Sequence, residues 1–161
     1  MNDAVESKCE CAALPDLAVV PMGGDDLDLR VFATLSRVRE HSGPQWWLYF
    51  SKCKACGQNW LVAQEERVFD DYFLKRLNVA EADEIVTSER WPGEFSTYER
   101  VLTVGHALSR PCRFFDPLAS SLVWTARDLR KERPAMTCEE IAQLIGSTSA
   151  EVELMLAANV P

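Results

Sequence analysis

The most chemically distinctive side chains of the sequence are its cysteines, four of which stand in two closely spaced pairs. Cys9 and Cys11 have C-x-C spacing, whereas Cys53 and Cys56 have C-x-x-C spacing and directly precede Gly57. Structural zinc prefers four tetrahedral sulfur or nitrogen ligands, and short spacing within each pair keeps the loop-closure entropy small. The pattern therefore predicts a structural zinc ion bound by all four thiolates.

Three lysines flank the cysteine pairs, although the chain as a whole is acidic: Lys8, Lys52 and Lys54. Four thiolates around a divalent cation leave a net charge of about −2, which nearby ammonium groups would balance. Such groups also favour the ionised, metal-binding form of cysteine. His41 would be the substitute ligand if one of the early cysteines did not reach the site.

Two other interpretations of the cysteines remain open. They could be reduced side chains packed in a core, or Cys53 and Cys56 could form a redox pair. A redox pair usually lies at the beginning of a helix within a βαβ unit, whereas the residues after this pair look like a strand. The isolated Cys112 and Cys138 are expected to be small buried hydrophobic residues, and His106 a structural or surface histidine.

Strand-like segments surround the second cysteine pair. Residues 45–51 are rich in aromatic side chains and residues 59–64 are mainly apolar, so together they predict a β-hairpin with the cysteines in its loop. Residues 67–77 fit either a strand or a helix, but their aromatic content and the adjoining hairpin favour a third strand. Residues 27–33 alternate apolar and polar side chains, as a half-buried strand does.

The periodicity becomes helical after residue 77. Helix beginnings are predicted where a capping side chain is followed three positions later by glutamate, which occurs at Asn78, Ser96, Thr137 and Thr148. A further helix is predicted after Asp116, with Pro117 in its first position, and Pro134 is expected to end it. Gly146 is expected to separate the last two helices.

These elements predict an α+β protein. Its N-terminal half is expected to contain a zinc-ribbon-like β-hairpin and meander, and its C-terminal half to be helical. A chain of 161 residues suits one ordinary domain with its own core. We therefore expect a single domain over residues 1–161, β-rich and zinc-binding up to about residue 77 and helical from about residue 78.

The formal net charge of −8 argues against broad affinity for nucleic acid, because neutralising phosphates requires clustered lysine and arginine. A basic protein partner suits an acidic chain better. The chain begins with acidic and polar residues, where a secretory signal would be basic and then apolar, and no apolar run approaches membrane-spanning length. We therefore expect a cytoplasmic protein whose cysteines stay reduced.

No catalytic site is expected. Zinc held by four protein ligands has no open position for water, so the predicted site is structural and not hydrolytic. The sequence contains no phosphate-binding glycine loop, no nucleophile elbow and no pair of histidines on a helix face. Acidic pairs could act as general acids or bases, but they arise readily as solvated surface in a chain with 25 acidic residues.

Residues 137–159 resemble a helix-turn-helix. Together with a zinc ribbon, this raises the alternative of a transcription-associated protein that binds DNA or the transcription machinery. The charges oppose it, because no lysine or arginine follows Arg133 while four glutamates do. A helix in the major groove approaches phosphates closely, so its acidic end would be repelled, and a helical hairpin packed on the core is favoured.

Acidic pairs are interleaved with aromatic side chains in residues 65–73. Acidic side chains speed the encounter with a basic protein, and buried aromatic side chains hold the complex. The candidate partner contacts are therefore Glu65, Glu66, Asp70 and Asp71. The competing interpretation makes the aromatic residues core and the acids ordinary surface.

The early C-x-C pair, the segment WWLYFSKCKACGQNWLVAQEERVFDDYFLKRL and the later RFFDP and LVWTARDLRKERP together resemble small bacterial immunity proteins of toxin–immunity systems. The resemblance covers much of the chain from Cys9 to Pro134. It implies tight binding and neutralisation of one cognate toxin, in the cytoplasm of the producing cell, without catalysis by the protein itself. Immunity families share no transferable binding motif, so the resemblance assigns no contact residues.

Overall fold

The chain folds as an α+β protein, with strands in its N-terminal half and helices in its C-terminal half, which confirms the predicted fold class. The computed structural model describes residues 8–158. The described residues separate into two compact units: residues 8–64 and 71–96 form the first, and residues 65–70 and 97–158 form the second. The first unit thus continues beyond residue 77 and includes the helix that follows.

A five-stranded antiparallel sheet forms the centre of the first unit. Its strands in chain order are β1 (Leu17–Pro21), β2 (Leu35–Glu40), β3 (Leu48–Cys53), β4 (Asn59–Glu65) and β5 (Asp71–Leu77). In space they lie in the order β1-β5-β4-β3-β2, so β1 and β2 are the edges. The third strand predicted from residues 67–77 is confirmed as β5, although it begins four residues later.

Strands β3 and β4 form the predicted hairpin. Two backbone hydrogen bonds of 2.9 Å close its loop: the N–H of Cys53 donates to Gln58 O, and the N–H of Gly57 donates to Cys53 O. Gly57 has a φ of +79°, a left-handed conformation that glycine adopts without strain. The loop therefore folds Cys56 back beside the end of β3.

Residues 27–33, predicted as a strand, instead belong to helix α1 (Leu27–Thr34), and β2 follows it directly. The prediction was wrong because a short alternating segment can also be helical. Leu27, Val31 and Thr34 are four and three positions apart and so share one helix face. Val31 and Thr34 are buried, which shows that this face and not the alternation determines the conformation.

Helix α2 (Val79–Ser88) begins at the predicted capping box. The Asn78 side chain accepts a hydrogen bond from the Glu81 N–H at 2.8 Å, and the Glu81 carboxylate accepts one from the Asn78 N–H at 2.9 Å. Ala82 and Ile85 are buried. The helix therefore buries one face in the first unit and exposes the opposite face.

The first unit has an apolar core into which two cysteines are built. Strand residues supply most of this cluster: Ala18, Val20, Tyr49, Trp60, Val62 and Leu74. Cys11 and Cys53 are buried members of the same cluster. Two of the four candidate metal ligands are therefore part of the packing that holds the sheet together.

Four helices form the second unit: α3 (Tyr98–Ala107), α4 (Ser120–Glu132), α5 (Cys138–Ile145) and α6 (Ser149–Ala157). Each contributes buried apolar residues, among them Val101, Leu102, Val123, Ala126, Ile141, Ile145, Val152 and Met155. In the part of the chain that the structure describes, no helix combines the length and the apolar character needed to cross a membrane.

The predicted capping boxes of α5 and α6 are confirmed. Thr137 accepts a hydrogen bond from the Glu140 N–H at 3.1 Å, and Thr148 accepts one from the Glu151 N–H at 3.2 Å. Gly146, with a φ of +69°, ends α5 in the left-handed conformation that its position predicts.

Helix α3 begins one residue later than predicted. Thr97, and not Ser96, is its cap, since the Thr97 side chain accepts a hydrogen bond from the Arg100 N–H at 3.2 Å. The Ser96 hydroxyl instead donates to Gly93 O at 3.0 Å, within the preceding 3₁₀ turn. Ser96 and Thr97 are adjacent, and the hydroxyl of either could cap the helix. The glutamate three positions after Ser96 therefore did not identify the capping residue.

Helix α4 also begins later than predicted, at Ser120. Asp116 does accept a hydrogen bond from a following backbone group, the Leu118 N–H at 2.9 Å. That bond closes a separate turn, and the Ala119 N–H donates to Asp116 O at 3.1 Å to complete it. The Asp116-Pro117 pair therefore marks a turn before the helix and not the helix itself.

Candidate metal centre

The structure brings together all four of the cysteines predicted to bind metal. Cys9 and Cys11 lie in the N-terminal segment, where Cys11 begins a short 3₁₀ turn. Cys53 is the last residue of β3, and Cys56 lies in the hairpin loop. Their four Sγ atoms all lie within 4.8 Å of one another.

This spacing is close to what a metal ion requires. A tetrahedral zinc site with Zn–S bonds of about 2.3 Å places its sulfur atoms about 3.8 Å apart. The side chains therefore need only a small contraction to surround an ion. The arrangement defines a cluster of thiols able to hold a metal ion.

The cluster has a buried side and an exposed side. Cys11 and Cys53 are only 5% and 1% exposed, whereas Cys9 is half-buried and Cys56 is exposed. The C-x-C and C-x-x-C pairs thus each supply one buried and one more accessible sulfur. An ion bound here would lie at the edge of the core, with solvent on the side of Cys56.

Hydrogen-bond donors point at the buried sulfur atoms. The indole N–H of Trp60 donates to Cys11 Sγ at 3.3 Å. Around Cys53, the Thr34 side chain and the backbone N–H groups of Ala55 and Cys56 lie close enough to lower the pKa of its thiol. Such donors stabilise a thiolate and fix its direction, as outer-shell groups of metal sites do.

The two buried thiols differ strongly in their pKa values. Burial alone would raise the pKa of Cys53, but its hydrogen bonds outweigh burial and lower the pKa to about 6. Burial raises the pKa of Cys11 to about 12, against the opposing effect of the Trp60 indole. One thiolate without a cation disfavours a second one beside it, and a divalent cation reverses that effect.

Two open cavities of about 540 Å³ border the cluster within the first unit. Lys8 and Lys54 line the first, together with Cys9, so two of the three predicted lysines do flank the sulfurs. Gln58 and Arg76 line the second, together with Cys11. Cys56 lines both cavities and is therefore the sulfur that solvent reaches from either side.

His41 is not needed as a substitute ligand, because all four cysteines reach the cluster. Its ring instead stacks on Trp91 with the centroids 5.1 Å apart, and its Nδ1 accepts a hydrogen bond from the Gly43 N–H. Cys112 and Cys138, predicted to be buried hydrophobic residues, are half-buried. Both lie outside the cluster of four.

The four carboxylates predicted to contact a partner have different environments. Glu66 is exposed and Asp70 is half-buried, so a partner could reach both. Glu65 and Asp71 are fully buried. The prediction is corrected for these two residues, because a buried carboxylate cannot meet a partner's surface.

Glu65 has a structural role instead. Its Oε1 accepts hydrogen bonds from the N–H groups of Arg67 and Val68 and from the Tyr98 hydroxyl, each at 2.8 Å, and its Oε2 accepts one from the Phe69 N–H at 2.6 Å. Burial raises the pKa of Glu65, although each of these bonds lowers it. The carboxylate organises the turn that follows β4.

Sequence reasoning missed Trp60 and Arg76, the two residues that support the cluster from the sheet. Trp60 donates to the Cys11 sulfur, and the Arg76 guanidinium lies over the Trp60 ring. Trp60 lies only four positions after Cys56, which is a weak signal. No local sequence signal marks Arg76, because its contacts depend on how β5 and the N-terminal segment come together.

Comparisons of the chain with protein-family models, with curated proteins and with solved structures found no match. The fold and the site define the class: an α+β protein with a four-cysteine cluster able to hold a metal ion. The chemistry of that cluster and of the molecular surface is therefore what bears on function.

Proposed function

We propose that the four-cysteine cluster binds one zinc ion in a structural role. The observation that supports this most directly is the approach of all four sulfur atoms to within 4.8 Å of one another. Zinc binds thiolates tetrahedrally, and four of them complete its coordination. Since Cys11 and Cys53 belong to the core, the ion would tie the N-terminal segment to the hairpin.

An ion bound by four protein ligands would make the fold more rigid but would not catalyse a reaction. Four protein ligands leave no position at which water could be activated. Among residues 8–158, no other group of three or more histidine, cysteine or carboxylate side chains is close enough to share an ion. The role proposed for this metal site is therefore structural and not catalytic.

Elemental analysis of the purified protein tests the zinc site. We expect about one zinc ion per chain, lost in both Cys53→Ser and Cys56→Ser. Both variants should also have a lower Tm, because an ion present at 1,000 times its Kd stabilises the folded state by about 4 kcal/mol. The matched control, Cys138→Ser, lies outside the cluster and should keep its zinc. A parent protein without metal, or full zinc in both cluster variants, would contradict the proposal.

We propose further that the protein binds and neutralises a basic partner protein in the cytoplasm, as immunity proteins of toxin–immunity systems do. The net charge of −8 favours encounter with a basic surface. All six cysteines are free thiols, which suits a reducing compartment.

The outer side of α2 offers chemistry that such a partner could recognise. Val79 and Val86 are 71% and 45% exposed, and with Asp83 they form one stripe at helical spacing. Asp83 and the adjacent Glu84 are exposed, and neither carboxylate has a hydrogen bond or ion pair within the described part of the chain. We call these four residues the α2 face.

Other carboxylates in α2 and directly after it are engaged within the first unit. Glu81 completes the capping box and pairs with Lys75 at 3.6 Å, and Glu89 pairs with Arg39. Asp83 and Glu84 have no such role in the fold. Unpaired carboxylates beside exposed valines complement an apolar patch that is rimmed by lysine or arginine.

Co-expression with the product of a neighbouring toxin gene tests partner binding. We expect a stable one-to-one complex and loss of the toxin's activity. At low salt, Asp83→Lys with Glu84→Lys should slow association about tenfold, because steering depends on charge near the docking site. Val79→Ser with Val86→Ser should mainly speed dissociation.

The matched control, Glu132→Lys with Glu153→Lys, reverses the charge of two exposed glutamates of the second unit. It changes the net charge by the same amount as the double lysine variant of the α2 face. An equal loss of association rate in both charge variants would reject the α2 face. Failure of the toxin to bind the parent would reject the immunity role. Binding to duplex DNA that weakens steeply with salt would favour the transcription-associated alternative.

A further inference from the structure

We infer that Trp60 and Arg76 position the Cys11 sulfur and join the two cysteine-bearing segments, so that the metal site is largely assembled before an ion binds. The inference rests on the proposed zinc site and concerns residues that are not ligands. Its basis is a continuous series of contacts within the first unit, which runs from β5 through Trp60 to the sulfur.

Trp60 contacts the sulfur directly. It is fully buried in β4, and its indole N–H donates to Cys11 Sγ at 3.3 Å. A buried indole N–H requires an acceptor, and this one uses a candidate metal ligand. The bond holds the sulfur in one direction.

Arg76 holds the backbone of the N-terminal segment. Its Nη2 donates to the carbonyl oxygens of Cys11 at 3.0 Å and Leu14 at 2.8 Å, and its Nε donates to the Asp16 carboxylate at 2.9 Å. The guanidinium also lies 4.4 Å from the centroid of the Trp60 ring. Arg76 therefore fastens the segment that carries two of the four cysteines to β5 and β4.

The same guanidinium reaches the segment that carries the other two cysteines. Its Nη1 donates to Gln58 Oε1 at 2.9 Å. Gln58 lies in the hairpin loop, and its backbone oxygen accepts the hydrogen bond from the Cys53 N–H that closes this loop. One side chain thus connects both halves of the cluster through contacts that do not involve the metal.

Arginine is suited to this role because its planar guanidinium presents several donors in a fixed arrangement. Lysine would offer one ammonium group and could not bind two carbonyls, a carboxylate and an amide with the same geometry. In zinc sites that form only with the metal, ion binding must also order the chain, which costs conformational entropy. Contacts that are already formed remove part of that cost and increase the affinity.

Zinc affinity, measured by competition with a chelating dye, and the spectrum of the cobalt(II)-loaded protein test the role of Trp60. Trp60→Phe keeps an aromatic side chain but removes the indole N–H. We expect about tenfold weaker zinc binding and a shifted sulfur-to-cobalt charge-transfer band. Trp47→Phe is the matched control, because the Trp47 indole is also buried and donates to a backbone oxygen, Phe95 O, at 3.1 Å. It should change neither quantity.

Arg76→Gln tests the second contact. Zinc affinity should fall by about 10–100-fold, while the charge-transfer band of the loaded protein stays in place, because Arg76 holds the backbone and not the sulfur. Arg76→Lys should restore only part of the affinity. Arg39→Gln, which removes a bond to Val86 O elsewhere in the same unit, is the control and should bind zinc as the parent does.

The outcomes separate this inference from the zinc proposal. A parent protein that binds neither zinc nor cobalt contradicts the zinc site itself. Stoichiometric binding by the parent, with Trp60→Phe equal to Trp47→Phe and Arg76→Gln equal to Arg39→Gln, overturns the positioning role alone. Arg76 is partly exposed, so its variants decide the question if Trp60→Phe does not fold.

Discussion

At the scale of single residues, the buried Glu65 carboxylate shows how one acid can determine the path of the chain. It accepts hydrogen bonds from three successive backbone N–H groups, those of residues 67–69, and from the Tyr98 hydroxyl. Burial raises the pKa of Tyr98, and the Glu65 charge adds to the effect, so the hydroxyl remains a donor. Four donors in a buried place require an acceptor with no hydrogens of its own.

We therefore predict that Glu65→Gln lowers the free energy of unfolding by about 1–3 kcal/mol. Whichever way the amide is turned, its NH₂ group meets backbone N–H groups that need an acceptor. Urea denaturation followed by circular dichroism measures the effect. Glu153→Gln, at an exposed position of the same unit, should change the stability by less than about 0.5 kcal/mol. Equal stability of the two variants would contradict a structural role for Glu65.

Long-range contacts of this kind mark what could not be predicted from the sequence. Nothing local distinguishes the buried Glu65 from the exposed Glu66, because burial depends on Tyr98, which lies 33 positions away. The same holds for Arg76, whose partners Cys11 and Leu14 are more than 60 positions away. The four ligands were predictable because metal chemistry constrains residue type and spacing locally.

At the scale of elements, local signals predicted most of the structure correctly. The hairpin is marked by aromatic strands around a glycine-containing loop, and the capping boxes of α2, α5 and α6 are marked by residues three apart. Helix α1 was predicted incorrectly because its few residues fit both the alternation of a strand and the periodicity of a helix. Its conformation depends on the burial of Val31 and Thr34, which only the folded chain defines.

The capping boxes of α5 and α6 make the stability of the second unit depend on pH. The backbone N–H of Thr137 lowers the pKa of Glu140, and the Ser147 hydroxyl lowers that of Glu151. Their pKa values are thus lower in the folded than in the unfolded chain. Both carboxylates therefore stabilise the fold above the ordinary value of 4.5, and this contribution is lost as the pH falls through their folded-state pKa.

We predict that Glu140→Gln with Glu151→Gln destabilises the protein at pH 7 and that the difference from the parent shrinks by pH 3. Glutamine can still close a capping box but does not ionise, so the variant lacks the contribution that depends on pH. Denaturant unfolding of both proteins at several pH values measures the difference in their free energies of unfolding. Other groups that titrate affect both proteins equally and cancel in this difference. A difference that stays constant from pH 7 to pH 3 would contradict the assigned role.

At the scale of the whole molecule, the two units differ in what holds them together. The first unit has a sheet core that incorporates Cys11 and Cys53, whereas buried helical residues such as Leu102, Val123 and Ile141 form the core of the second. All four candidate metal ligands belong to the first unit. Metal binding should therefore stabilise the first unit directly.

We predict that removal of the metal by a chelator speeds amide hydrogen exchange in the hairpin loop, residues 53–58, by at least about tenfold. The ion holds Cys53 and Cys56 together, so after its loss the loop is held only by hydrogen bonds, namely the two that close it and the one from Arg76 to Gln58. Amides of α4, α5 and α6 should keep their protection, because their packing includes none of the metal ligands. Mass spectrometry of peptides from each unit, with and without chelator, provides the measurement.

Cys56→Ser is the control for this experiment, because a protein that cannot hold the ion should exchange at the same rate with and without chelator. Its hairpin loop should already exchange as fast as that of the chelated parent, since the serine is exposed and disturbs no packing in the core. Faster exchange of similar size in α4 to α6 would mean that the ion stabilises the molecule as one cooperative unit. Unchanged exchange in the hairpin of a zinc-loaded parent would mean that core packing and Arg76 already hold the loop, and that the ion adds little to its stability.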